Sequence, residues 1–557
     1  MKNPALSQRC MVRVALRLLL AGLFLGGLSE CQSAWSQLRP ASATGGSPTI
    51  ATVQINPWAT TQPISPNFMS IAQDLSETKD VVGKSTSNMN PIYEQLIHNL
   101  VMYQNEPMLI RMLSDADNSD NRYSSEFLGP LYQLHRHFGV QFFVGVDFKD
   151  FDTNPSIAPQ EAAILVKCLP GDALKGIEAG NEPDLWPGHS RPKGWDYNDY
   201  VKEYNELTQS IGTLDEVKLA APVFSSGQRE SAFMDNLGDF ITSEKSTLSM
   251  VVIHHYSGTG TEPADYLLSQ LAVCGDRQPM SGPGGEGCPS GTDVRAYVPT
   301  AQEVALPLRI GELNSINNRG QDGVSNSFSS ALWAMDISFA YAQAGVSGVN
   351  FFTPNNALTH WYSAFDFTHT DDDGGMRTYN VGHINPLYYG MLMFVRAVQN
   401  SAALLPIAFT TNSNHNIKAW ATIDSGGTIR LLLLNKDLKA SGNVVVSLSG
   451  YGNAIITRLT APSYRSTTGL TLGGQTFDGT RDGTLQGTPT WEAVSPAGDV
   501  YTIPLPHVGA ALVEFWANIE ADGSHIATTP ATIAVQAGEP SMIRKEPNLY
   551  KSLGQQP

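Results

Sequence analysis

Two glutamates of this 557-residue chain stand where an acid could work on a bond. Glu182 lies in GIEAGNEPDLWPGH (Gly176 to His189), where an apolar, strand-like run stops at Asn181, Glu182 and Pro183. A run of that kind, ended by a polar turn with a proline, marks the end of a strand, and in an α/β barrel the C-terminal strand ends carry the chemistry. Glu312 sits in LRIGELNS, again at the end of an apolar run. Retaining hydrolysis of a β-glycosidic bond needs two carboxyl groups about 5–5.5 Å apart, one as nucleophile and one as acid and then base. Asn-Glu-Pro also arises by chance in surface loops, and other barrel-mouth reactions use two acids, so the surrounding elements must bring the pair together.

Those elements are legible as alternating strands and helices. The expected strands are Pro66–Gln73, Met108–Met112, Val140–Phe148, Gly176–Asn181, Lys218–Phe224, Met250–Tyr256, Leu308–Leu313 and Gly348–Thr353, with amphipathic patterns such as EFLGPLYQLHRHF and YVKEYNELTQSI between them. Near-continuous apolar strands alternating with helices imply a parallel sheet, and eight such units imply a closed (β/α)8 TIM barrel. An open doubly wound sheet is the alternative, but no Gly-rich phosphate turn follows the first strand. From about Ala402 the texture changes to short strands separated by Gly, Asn and Asp turns, which predicts a C-terminal antiparallel β-sandwich. The expected division is a signal segment 1–36, a polar linker 37–48, the α/β barrel 49–400, the sandwich 401–517 and a polar tail 518–557 with little apolar pattern.

A balance of 35 Lys+Arg against 52 Asp+Glu, net charge -17, repels phosphate backbones, so nucleic acid is not an expected partner. No basic cluster of the kind that binds heparin-like polyanions occurs either. Lys2, Arg9, Arg13 and Arg17 precede LLLAGLFLGGL (Leu18 to Leu28), the charged and apolar regions of a secretory signal, so a secreted or periplasmic enzyme with no stable membrane span is expected. LSEC resembles a lipoprotein box except at Glu30, which keeps lipid anchoring at Cys31 as a minority alternative. Cys274 and Cys288 flank a Gly-rich segment and are candidates for a disulfide, while Cys168 lies on an apolar helical face. Cysteines so far apart do not form a metal site.

Asn-Glu after the fourth strand, Glu312 on the seventh and His-His-Tyr (His254, His255, Tyr256) on the sixth resemble the retaining glycosidases of clan A. ISPNFMSIAQDLS and INPLYYGMLMF are similar to segments of glycoside hydrolase family 79, which contains β-glucuronidases and heparanase-like enzymes. The resemblance implies Glu182 as general acid/base, Glu312 as nucleophile and Asn181 as the partner of the sugar 2-hydroxyl. It also implies Asp74 as the first-strand acid that binds distant hydroxyls, and Tyr362 as the tyrosine facing a uronic carboxylate. Tyr256 is expected either to donate to Glu312 or to pack at the barrel rim, and His255 is a rim histidine within reach of substrate. Asp74 has a competing reading as a cap for the segment after it. The loop TPNNALTHWYSAF has no glycine beside Tyr362, a departure from the family pattern that bears on the sugar more than on the reaction. The implied function is an exported retaining β-glycosidase acting on β-glucuronides or close relatives, without metal or organic cofactor. Other clan activities (β-xylosidase, β-glucosidase, endo-glycanase) and a silent carbohydrate-binding barrel stand as alternatives.

Overall fold

All eight expected strands close into one barrel. In the computed structural model, residues 39–40, 46–114, 123–212, 217–225, 231–258, 260–269, 294–356, 358–411 and 415–518 are described. The barrel strands are Met69–Asp74, Leu109–Leu113, Gln141–Val146, Leu174–Ala179, Leu219–Phe224, Leu248–Gly258, Leu308–Ile316 and Gly348–Phe352, each parallel to its neighbours, the eighth pairing back onto the first. The second, third and fifth are buried along their whole length, as strands covered by helices outside and by each other inside must be. The Leu109, Phe143, Ala220, Val223, Met250 and Val252 side chains form a small cluster separate from the main core and fill the barrel interior. A polar layer accompanies them: Arg309 Nε donates to Asn350 Oδ1 at 2.6 Å, and Asn350 Nδ2 donates to the carbonyls of Ile71 and Leu109 at 2.8 Å.

Local chemistry starts and stops the helices. Asn90 accepts from the amides of Ile92 and Tyr93 ahead of Pro91 at the start of helix Pro91–Val101. Ser124 caps Ser125–Phe138, which ends on Gly139 in the left-handed region at φ 69°. Asp196 and Asp199 form a reciprocal capping box on Tyr197–Ile211. Helix Phe328–Ala344 is buried on every face from Phe328 to Ala342, because the sandwich covers the side that a barrel helix usually shows to water. Phe339 stacks on Trp420 of the sandwich at 5.5 Å, and Asp336 accepts from both Trp420 Nε1 (3.0 Å) and Lys436 Nζ (2.6 Å).

The sandwich differs from expectation at its N-terminal edge. Thr49–Ile55, assigned above to the barrel, pairs antiparallel with Ile407–Thr411 and parallel with Gly442–Ser447, and Gln62–Pro63 joins the other sheet beside Ala403–Leu405. Among the described residues the strands ahead of Met69 that pair with the sandwich, Thr49–Ile55 and Gln62–Pro63, therefore precede the barrel, which begins at Met69. The alternating burial of TIATVQI suits a sheet with one face on a core, which a barrel strand does not have. Strand Ile429–Asn435 is buried on both faces. Leu431 and Leu433 enter the sandwich core with Val444, Val446 and Val513, while Leu432 and Leu434 join the core shared with the barrel helices. After the eighth strand a hairpin, Phe365–Asp371 with Arg377–Ile384, carries the DDDGG turn, where Asp371 is tied to Arg377 and Lys84. Among the described residues no helix is long and apolar enough to cross a membrane. The signal segment, Cys31, Cys274, Cys288 and the tail beyond Asn518 lie outside the described residues, and Cys168 is a half-buried free thiol at the end of its helix.

Candidate active site

Along a barrel strand every second side chain faces inward, so residue parity selects what meets at the mouth. Arg111, two residues after Leu109 on the second strand, is fully buried. Its Nε and Nη2 grip Glu178 Oε2 and Oε1 of the fourth strand at 2.6 and 2.7 Å, a two-pronged pairing of buried charges. The same guanidinium reaches Glu312 Oε2 through Nη1 at 2.6 Å and Asn181 Oδ1 through Nη2 at 2.7 Å. Burial acts to lower the pKa of Arg111, but the Glu178 and Glu312 carboxylates overcome it and drive the net shift upward.

Glu312 does not end the seventh strand, as the apolar run suggested; it lies inside Leu308–Ile316. It reaches the mouth through a bulge: Ile310 pairs with Ile253 and Glu312 with His254, so Gly311 is passed over. A Cβ at Gly311 would stand 2.3 Å from Val252 Cγ1, and only glycine fits there. Tyr256 donates to Glu312 Oε1 at 2.5 Å, so both oxygens of this glutamate have a donor. Burial, followed by the Glu312 charge, raises the Tyr256 pKa well above its ordinary value and keeps the phenol a donor.

Glu182 follows the fourth strand by three residues and sits in the left-handed region at φ 45°, ψ 54°, a costly conformation for a residue with a side chain. Its Oε1 is 2.9 Å from Nδ1 of His254. His254 is fully buried, and burial first, then the nearby Arg111 charge, lowers its pKa to about 3 against the pull of Glu312, so the ring is neutral. The side chain of Glu182 is 24% exposed and that of Glu312 9%, which puts the first toward the opening and the second deeper. One atom each of Glu182, His254 and Glu312 lie within 4.8 Å of one another. Such a triad has the spacing of a metal centre, but the Arg111 cation beside Glu312 and the two donors on its oxygens oppose a metal there.

Of the residues expected in the site, Glu182, Glu312, Asn181, Tyr256 and Tyr362 come together. The Tyr362 ring is buried 5.8 Å from that of Tyr256, the residue that donates to Glu312. His255 is a correction: it has the opposite parity to Tyr256 and packs edge-on against Tyr341 of helix Phe328–Ala344. Its neighbour His254 takes the inward position. Asp74 accepts from the Ser76 amide at 2.7 Å and caps the turn Leu75–Glu77, as its competing reading had it. Trp186 is a packed loop residue, stacked on Trp195 and bonded through Nε1 to the Asn181 carbonyl. Arg111, Glu178 and His254 were missed.

Glu77, beyond the first strand, accepts from the amide of Asn355 at 2.9 Å and so ties down the loop that carries Tyr362. Burial, reinforced by the Asp74 and Asp80 charges and opposed by the Asn355 hydrogen bond, pushes its pKa from 4.5 up to about 7. Between those two values the folded protein holds a proton that the unfolded chain has released, so this group lowers stability as pH rises through the window. Glu77→Gln keeps the acceptor and removes the titration. The fall in thermal midpoint from pH 4.5 to 7 should shrink in the variant, by the equivalent of on the order of 1–3 kcal/mol; an unchanged slope would mean that the Glu77 carboxyl is not buried as seen.

A (β/α)8 barrel that brings two carboxyl groups this close, one just past the fourth strand and one on the seventh, has the geometry that retaining glycoside hydrolases use. Known proteins agree. Residues 419–512 match the family model of the glycosyl hydrolase family 79 C-terminal beta domain. The chain is 24% identical over 528 residues to the β-glucuronidase of Aspergillus niger, covering 81% of this chain and 91% of that protein. It is 26% identical over 208 residues to the β-glucuronidase of Neurospora crassa, covering 34% of this chain and 35% of the other. Its fold is similar to the crystal structure of a 4-O-α-L-rhamnosyl-β-D-glucuronidase from Fusarium oxysporum, with TM-score 0.64, 19% identity, and coverage of 84% of this chain and 100% of that one. A family 51 α-L-arabinofuranosidase from Bifidobacterium longum has a similar fold, with TM-score 0.56, 13% identity, and coverage of 84% and 100%. The chain is a glycoside hydrolase similar to enzymes of family 79.

Proposed function

We propose that this chain hydrolyses β-glucuronides with retention of configuration, with Glu182 as acid/base and Glu312 as nucleophile. The observation that carries the reading is the approach of the two carboxyl groups to within 4.8 Å, the short separation that direct nucleophilic attack needs and that leaves no room for an intervening water. In the first step a Glu312 oxygen attacks C1 while Glu182 gives its proton to the departing glycosidic oxygen. In the second, Glu182 takes a proton from water, which attacks C1 and releases Glu312. Arg111 and Tyr256 orient the nucleophile and receive its charge back when the glycosyl-enzyme breaks down. Asn181 spends its oxygen on Arg111, so its amide NH2 is the group available to the sugar 2-hydroxyl.

The glucuronide assignment is supported by the two β-glucuronidase relatives. The basic N-terminal segment with its apolar run supports export, which the mass of the mature N-terminus tests. Activity is tested on nitrophenyl β-glycosides: the glucuronide should be preferred over glucoside and xyloside by roughly 10²-fold or more, the scale set by a site that pairs with a charged group. Preference for a neutral sugar would keep the two glutamates and overturn the substrate.

A further inference from the structure

Glu182 holds a left-handed backbone conformation next to Pro183, whose ring fixes the following φ. Such a conformation is strained for a residue with a side chain and persists only where the surroundings hold it. Two ties do so, both to the end of the fifth strand. On one side the Glu182 amide donates to the carbonyl of Val223 at 3.1 Å. On the other, Asp184, fully buried, accepts from the Ser225 amide at 2.9 Å and from Ser225 Oγ at 2.5 Å. Asp184 spends both oxygens on one residue just past the end of a neighbouring strand.

We infer that Asp184 is a positioning residue for the acid/base step, clamping the turn that aims Glu182 at the glycosidic oxygen through Ser225. The inference rests on the reading of Glu182 as acid/base. Misplacing a proton donor by about 1 Å costs on the order of 10²-fold, and only for substrates whose leaving group needs the proton. Loss of the clamp should therefore be selective, which a general weakening of the fold would not be.

The experiment compares kcat/KM for phenyl and dinitrophenyl β-glucuronides in Asp184→Ala, Ser225→Ala, Asp184→Asn and Glu182→Ala. Asp184→Ala should lose roughly 10²-fold on the phenyl glycoside and under about 5-fold on the dinitrophenyl one. Ser225→Ala, which keeps the amide bond to Asp184, should show the same selectivity more weakly and serves if Asp184→Ala does not fold. Asp184→Asn retains an acceptor for the Ser225 amide and turns its NH2 toward Oγ, so it should recover most of the loss. Equal losses on both substrates, or none, in Asp184→Ala and Ser225→Ala would overturn the inference if Glu182→Ala itself is selective. A Glu182→Ala enzyme without leaving-group selectivity would instead overturn the acid/base reading on which the inference rests.

Discussion

Glu312→Ala should lower turnover of nitrophenyl β-glucuronide by roughly 10⁴-fold or more, the scale seen when a covalent nucleophile is removed. The protein should nevertheless fold. Arg111 keeps its two bonds to Glu178, so its charge stays paired after Glu312 is gone, and the Tyr256 ring stays packed beside that of Tyr362. A circular dichroism spectrum and thermal midpoint close to those of the parent would separate loss of chemistry from loss of structure. Added azide should then attack C1 from the vacated face and restore part of the activity, giving the glycosyl azide of inverted configuration. Wild-type turnover in a folded Glu312→Ala protein would contradict the assignment.

Arg111→Met should damage both stability and rate. The arginine is fully buried and bonds two carboxylates at 2.6–2.7 Å while fixing Asn181. Without it Glu178 and Glu312 lose the cation they share, and breaking a buried pair in this way costs about 3–5 kcal/mol. The rate should fall as well, by on the order of 10²–10³-fold, because the nucleophile loses an orienting donor and the charge that stabilises it as a leaving group. Arg111→Lys retains the charge but not the fork, so its stability should lie between the two. Denaturant unfolding alongside kcat reads both effects. A Met variant as stable as the parent would mean that the network is not the structural centre of the mouth.

How much of this was legible in the sequence follows from what periodicity carries. The eight barrel strands were, because continuous apolar runs between helical patterns have few other uses, and Glu182 and Glu312 stood out as acids at or near the polar ends of such runs. Thr49–Ile55 was misplaced because its position ahead of the barrel outweighed its alternation, which is the mark of a half-covered sheet. Glu312 was put at a strand end because the bulge at Gly311 shifts register without changing the apolar pattern. That bulge also keeps Glu312 opposite His254. His255 was preferred over His254 although parity with Tyr256 favours the latter, and the two-residue repeat would have settled it. Arg111 in MLIRM and Glu178 in GIEAG were the clearest overlooked signals. A charge inside a strand buried on both faces needs a partner there, and each supplies the other's.

The central claim is that Glu312 forms a covalent bond to the sugar during turnover. A 2-deoxy-2-fluoro-β-glucuronosyl fluoride tests it most directly, because the fluorine slows both steps by opposing positive charge at C1, while the good leaving group lets the first proceed. Peptide mass spectrometry of the inactivated enzyme should find one glycosyl adduct, on the peptide containing Glu312 and on that side chain. An adduct on Glu182 would reverse the two roles, and turnover without any adduct, giving product of inverted configuration, would contradict the account.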